Sequence, residues 1–265
     1  MEDTWNLMNN WELVIPPSRP SPAQIELLVS IASKVDKTSN VAVLGSTIEY
    51  RDVLYELNFK NIFVFDRNKK FYELTTGHRI YKNKETLVHG DWLETLQKFP
   101  NNFSLIVSDL TSGNVSYDLR DKFYSDIQNA LILGGVFFDK ILTHNKKFLN
   151  VDILLKKYEK LPINWVTINY FSCELLFCSE LLKINEKVET NKFYKQLDSA
   201  SNNKRIKKFI EMSKIITPTE FIWYYGKSWS ELKLGYCNKL TLLNEIEDEL
   251  GSPYLGFVKL FTFQR

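Results

Sequence analysis

Three residues stand out by type and spacing: Gly45, Asp66 and Asp109, each closing a short apolar run. A glycine after a strand lets a ligand approach the backbone closely. A helix that starts just beyond it offers amide N–H groups to an anion. An acid about 20 residues on, at the end of a second strand, is placed to grip a ribose diol. Asp66 holds that position relative to Gly45. A sugar-bearing cofactor is therefore expected in the crevice at the carboxyl ends of the strands.

The turn itself narrows the choice. It reads Gly45-Ser46-Thr47-Ile48-Glu49-Tyr50, with one glycine where a dinucleotide site uses G-x-G-x-x-G. Glu49 near the helix start would repel a pyrophosphate. A cofactor with a positive centre and no phosphates fits better, which points to S-adenosylmethionine.

The elements that must hold these residues follow from periodicity. Ser21 caps a helix with Pro22 at its first position, and Ile25, Leu28 and Ile31 give it an apolar stripe. Buried strands are expected at Val41–Leu44, Ile62–Phe65, Leu87–His89, Phe103–Ser108 and Gly135–Leu142. Helices are expected between them at Arg51–Leu57, Lys69–Thr76, Leu93–Phe99 and Leu119–Leu131, with another at Ile153–Tyr158. Strand and helix alternating through short connections specify a parallel sheet covered on both faces. Trp165–Tyr170 and Glu174–Cys178 read as two further strands in a hairpin, which would end the sheet in an antiparallel pair.

Residues 40 to 180 resemble the class I S-adenosylmethionine-dependent methyltransferases. Val41-Ala42-Val43-Leu44-Gly45-Ser46-Thr47 is similar to the family's first motif, Gly90-Asp91-Trp92 to its adenine motif, and Phe103–Asp109 to its fourth motif. Leu133-Gly134-Gly135-Val136-Phe137 is similar to the turn before its fifth strand. The resemblance implies an α/β fold: a Rossmann-like, doubly wound, mostly parallel seven-stranded sheet ending in an antiparallel hairpin. It places Gly45, Ser46, Thr47, Glu49 and Arg51 at the methionine end of the cofactor, with Arg51 pairing the carboxylate. It places Asp66 and Arg67 at the ribose, and Asp91 and Trp92 at the adenine. Asp109 would face the transferable methyl group and orient or deprotonate the acceptor.

Asp109, Lys140 and Glu174 together resemble the catalytic acids and lysine of RNA ribose 2′-O-methyltransferases. The second lysine of that arrangement is missing from the helix around Gln24–Leu28. A small-molecule or peptide acceptor is the leading expectation and RNA the alternative. A non-methylating or non-catalytic S-adenosylmethionine-binding protein is a third reading, because fold does not fix the reaction.

Composition agrees with the leading expectation. Among 265 residues, 34 Lys and Arg face 32 Asp and Glu, a net charge of +2, whereas phosphate-tracking proteins are usually basic. Lys204, Arg205, Lys207 and Lys208 form a local basic run, read as a solvated helix face. A 44% hydrophobic content rules out wholesale disorder. Three cysteines without metal-site spacing suit a reducing, cytoplasmic setting, and no metal site is expected. The acidic start carries no secretory pattern and no stretch is apolar enough for a bilayer, so no membrane partner is expected. Frequent Lys, Asn and Ile suggest an AT-rich, bacterial genome. The chain divides into a segment at 1–40 serving as lid or pocket wall, a cofactor-binding core at 41–182, and an extension at 183–265 packed on that core.

Overall fold

The computed structural model describes residues 11–81, 85–142, 149–181, 187–217, 221–225, 228–247 and 257–265; part of the 1–40 segment therefore lies outside the described residues. The elements run α1(Pro22–Ala32), β1(Asn40–Leu44), α2(Ile48–Glu56), β2(Asn61–Asp66), α3(Lys69–His78), β3(Thr86–His89) and α4(Trp92–Thr95). They continue with β4(Phe103–Asp109), α5(Arg120–Ala130), β5(Leu131–Leu142), α6(Val151–Tyr158) and α7(Trp165–Cys173). The last set is β6(Val188–Glu189), α8(Thr190–Ala200), α9(Lys204–Ile216), β7(Ile222–Trp223), α10(Trp229–Cys237), β8(Thr241–Glu247) and β9(Val258–Gln264).

One sheet organises the molecule, in the order β3-β2-β1-β4-β5-β9-β8. β1 to β5 are parallel, while β9 pairs antiparallel with both β5 and β8. Successive side chains on a strand point to opposite faces, and in β1, β4 and β9 both faces are buried, whereas β3, expected as a buried strand, is half-buried to exposed at the sheet edge. Val41, Val43, Leu105, Val107 and Phe138 pack with Leu28, Ala32, Val53 and Leu54 of α1 and α2. Ala42, Leu44, Ile106, Phe137 and Phe261 pack with Phe123, Ile127 and Tyr236 of α5 and α10. Fully burying each large apolar side chain contributes about 1.5–3 kcal/mol, so the run-type strands are the ones the two layers hold most firmly.

The hairpin that ends the sheet is β8 and β9, not the 165–178 pair expected from sequence. Trp165–Cys173 is helical and continues into a π-helical turn at Glu174–Cys178. Asn164 and Thr167 form a reciprocal capping box that starts α7. Ile168, Phe171 and Leu175 recur at helical spacing and are buried together with Phe209 and Ile210 of α9. The β-branched and aromatic content of Trp165–Tyr170 mimics a strand, but the packing follows the 3.6-residue period.

This changes the role of the last third of the chain. The helices from α6 to α10 interrupt the sheet between β5 and β8, and those from α6 to α9 form a third apolar cluster around Tyr158, Phe171, Phe209 and Tyr225. Residues 183–265 therefore include two strands of the central sheet as well as the inserted helices. Lys204, Arg205, Lys207 and Lys208 lie on the exposed side of α9, as a solvated face requires.

Candidate functional site

The sheet order reverses between β1 and β4, and a crevice at such a switch point is where open α/β sheets bind ligands. Gly45 turns the chain out of β1 with φ +86°, and a Cβ there would meet nothing within 4 Å. The backbone therefore borders open space in a conformation that favours glycine. The Phe65 carbonyl oxygen accepts from Gly45 N at 2.8 Å and from Trp92 Nε1 at 3.0 Å, locking the exits of β1, β2 and β3 together.

Asp66 ends β2 and is buried. Ser46 Oγ donates to its Oδ2 at 2.5 Å and Asn68 N to its Oδ1 at 2.8 Å. Burial raises the Asp66 carboxyl above its ordinary range, against the pull of those hydrogen bonds. The neighbouring Arg67 is exposed, and its carbonyl oxygen lies 3.1 Å from His89 Nε2.

Asp91 caps α4, accepting from Leu93 N at 2.9 Å. Asp91, Trp92 and Arg67 border a cavity of 160 Å³, closed on other sides by Asn114, Leu119 and Tyr224. Whole-ligand pockets usually run about 300–1,000 Å³. This one is smaller than a whole-ligand pocket.

Thr47 turns its hydroxyl toward Asp109, 3.4 Å from Oδ2, and does not cap α2. Asp109 and Lys140 are neighbours in register on β4 and β5, and Lys140 Nζ lies 2.5 Å from Asp109 Oδ1. Burial raises the Asp109 carboxyl, while the Lys140 ammonium and Thr47 hydroxyl pull it back. Leu110 follows in the left-handed region at φ 59°, a placement that costs a leucine about 1–2 kcal/mol. That turn brings Thr111 Oγ1 to the Leu44 carbonyl oxygen and so fastens the β4 exit to β1.

Two expected site residues are engaged elsewhere. All five N–H donors of Arg51 are taken, by Glu85, Thr75, Thr76 and the Ser46 carbonyl oxygen. With Arg79, Asp52 and Glu85 it forms a buried ion cluster behind α2, so it has no fork left for a ligand carboxylate. Glu174 accepts from Lys157 Nζ at 2.8 Å and from Tyr158 Oη at 2.9 Å. Its place on the helical turn after α7 turns it to α6, and Lys140 instead donates to the Pro17 carbonyl oxygen at 2.8 Å. The structure thus joins Asp109 with Lys140 but does not bring Glu174 into contact with them.

Glu49 lies in the first turn of α2, paired with Arg19 Nε at 2.8 Å through Oε1. Its Oε2 is buried and accepts no hydrogen bond from the described residues. Arg19 belongs to a strap, Trp11–Pro20, that ties α2, β5 and α7 together: Leu13 and Ile15 bond Asn169 of α7, Pro17 meets Lys140 of β5, and Ser18 Oγ lies 3.5 Å from Cys173 Sγ. Sequence reasoning missed Asn114 and the individual strap contacts, because each pairs positions far apart in the chain.

No protein-family model matches the sequence, and no curated protein matches it. Solved structures do match the fold. An S-adenosylmethionine-dependent methyltransferase from Methanosarcina mazei aligns with 12% identity over 93% of this chain and 98% of that one, with a TM-score of 0.54. A Burkholderia thailandensis 1,6-didemethyltoxoflavin-N1-methyltransferase, bound to its namesake ligand and S-adenosylhomocysteine, aligns with 8% identity over 91% and 77%, with a TM-score of 0.51. The fold is that of the class I S-adenosylmethionine-dependent methyltransferases. A Rhodobacter sphaeroides protein described as a Zn-dependent alcohol dehydrogenase also aligns, with 12% identity over 98% of both chains and a TM-score of 0.58. The methyltransferase fold of this chain carries, among the described residues, no group of three or more His, Cys, Asp or Glu that could hold a metal ion. No helix among those residues is long and apolar enough to cross a membrane.

Proposed function

We propose that this chain is an S-adenosylmethionine-dependent methyltransferase acting on a small-molecule or peptide acceptor. One observation carries the reading. At the switch point, an open backbone turn at Gly45, a buried acid at Asp66 and a cavity beside Asp91 and Trp92 stand in the order a nucleoside requires. Asp66 accepts from the ribose hydroxyls, and the cavity takes the base. Glu49, in the first turn of α2 just beyond Gly45, is the acid this reading sets at the ammonium of the methionine moiety.

When bound, the cofactor supplies a methyl group on a sulfonium centre for in-line displacement. The protein's part is to position the acceptor and receive its proton where it has one. Asp109 is the group for this: it stands at the β4 exit, burial raises its carboxyl above the ordinary range, and the Lys140 ammonium pulls the other way. The Trp11–Pro20 strap, held by Lys140 and Asn169, is the segment this reading sets over the acceptor side. Engagement of Glu174 by Lys157 and Tyr158 weighs against the ribose-methylating arrangement, which needs it at Lys140.

Methyl transfer from labelled S-adenosylmethionine to a panel of small molecules, peptides and RNA tests the proposal. A small neutral acceptor is expected, with binding nearly independent of salt. Steep loss of acceptor binding between low and high salt would instead identify a phosphate-bearing acceptor.

A further inference from the structure

Thr47 holds the N-cap position of α2, yet its side chain makes no capping hydrogen bond. A residue of this kind ordinarily accepts from an amide of the first turn, as Ser21, Asn68 and Asn164 do at the starts of α1, α3 and α7. Thr47 Oγ1 instead donates to Asp109 Oδ2 at 3.4 Å, 62 residues further along the chain.

The sheet sets this contact up. β4 lies between β1 and β5, so its exit has a neighbour on each side. On the β1 side, Gly45 at φ +86° turns the chain out of the strand and leads into Thr47. Thr111 Oγ1, bonded to the Leu44 carbonyl oxygen at 3.2 Å, keeps that turn beside the β4 exit. On the β5 side, Lys140 Nζ lies 2.5 Å from Asp109 Oδ1. Each carboxylate oxygen therefore has its own partner. The terminal torsion of an aspartate is otherwise broad, and a partner at each oxygen restricts it.

We infer that Thr47 is a positioning residue for Asp109: its hydroxyl, opposite the Lys140 ammonium, fixes the plane in which the Asp109 carboxylate meets an acceptor. This moves Thr47 from the methionine end of the cofactor, where the family resemblance sets it, to the reaction centre. The role in methyl transfer rests on the function proposed above, whereas the contact stands without it. The titratable groups that act on Asp109 are Lys140 and Asp139 of β5 and Tyr225 of the inserted segment, and all three stay in place when Thr47 is changed.

The test follows the Asp109 carboxyl by carbon-13 NMR in the ligand-free protein, its signal assigned by its loss in Asp109→Asn. Thr47→Val removes a hydrogen bond to the charged form, so the titration midpoint should rise by about 0.5–1 pH unit. Thr47→Ala should give the same rise, and Thr47→Ser, which keeps a hydroxyl, should stay within about 0.3 unit of wild type. Calorimetry should find S-adenosylhomocysteine bound by Thr47→Val within about threefold of wild type. For an acceptor found in the methylation panel, the acid limb of the pH profile should move up with the midpoint in Thr47→Val and return in Thr47→Ser. An unmoved midpoint in Thr47→Val and Thr47→Ala overturns the inference, as does a Thr47→Ser variant that shifts as Thr47→Val does. A larger loss of S-adenosylhomocysteine binding would give the hydroxyl to the cofactor and overturns it too, and so does an acid limb that stays in place. If wild type binds no S-adenosylhomocysteine, the proposed function fails while the titration still decides the contact, which separates the two failures.

Discussion

Lys140 Nζ stands 2.5 Å from Asp109 Oδ1, each residue at the carboxyl end of its own strand, Lys140 buried and the Asp109 side chain only 7% exposed. The same ammonium donates to the Pro17 carbonyl oxygen, so one cation joins the β4 exit to the N-terminal strap. Removing one partner of a buried ion pair leaves an uncompensated charge, which costs about 3–5 kcal/mol. Lys140→Met should therefore lower unfolding stability by that amount in urea denaturation. The double variant Lys140→Met with Asp109→Leu should recover most of it. Equal losses in the single and double variants would show that the pair is not what Lys140 supplies.

Gly113 marks where the inserted segment docks on the β4 exit. A Cβ at this position would lie 1.9 Å from Tyr225 Cε1, inside the closest contact real atoms make. Gly113→Ala should destabilise by about 1–3 kcal/mol through overpacking. Trimming the ring should relieve it, so Gly113→Ala with Tyr225→Ala should cost less than the two single changes added together. Thermal unfolding of the four proteins gives the coupling directly, and simple additivity would refute the contact.

Asp139 points to the other face of β5, where Tyr236 Oη donates to its Oδ2 at 2.5 Å. Burial pushes its carboxyl up to about 7, with the Asp109 charge pushing the same way and the Tyr236 and Ser108 hydrogen bonds opposing. A raised carboxyl holds a proton in the folded chain that the unfolded chain has already released. Its contribution to stability is therefore complete below about pH 4 and is lost as the pH rises to about 7. Asp139→Asn should flatten that part of the stability profile and melt higher than wild type at pH 8. Melting curves from pH 5 to 8 that fall in parallel for both proteins would contradict the assignment.

Arg51 is predicted to matter for folding rather than for ligand charge. Arg51→Lys keeps the charge but loses the planar fork that meets Glu85, Thr75 and Thr76 at once. It should lower the melting temperature clearly while leaving ligand affinity of the folded protein within about twofold. A large affinity loss with unchanged melting would restore Arg51 to the methionine end.

Much of this was readable from the chain. The strands β1 to β5 are apolar runs closed by Gly or Asp, and local pattern is enough to place them and the acids at their ends. The antiparallel pair was not, because β8 and β9 lie about a hundred residues beyond β5 and their pairing is set by the sheet edge. Trp165–Tyr170 shows the limit of composition: strand-loving residues fold as a helix once Asn164 caps them and Phe171 packs on Phe209. For Arg51 and Glu174, charge and position were visible but their partners, Glu85 and Lys157, were not. Side-chain partners chosen in three dimensions leave no periodic signal.

The central claim is that the crevice between Gly45, Asp66 and the cavity at Trp92 binds the nucleoside of S-adenosylmethionine. Isothermal titration of S-adenosylhomocysteine into wild type and Asp66→Asn tests it most directly. The account predicts one site per chain in wild type and at least about tenfold weaker binding in the variant, since a carboxylate that grips two hydroxyls is replaced by an amide. Absence of binding at millimolar ligand, or equal affinity in the two proteins, would contradict it.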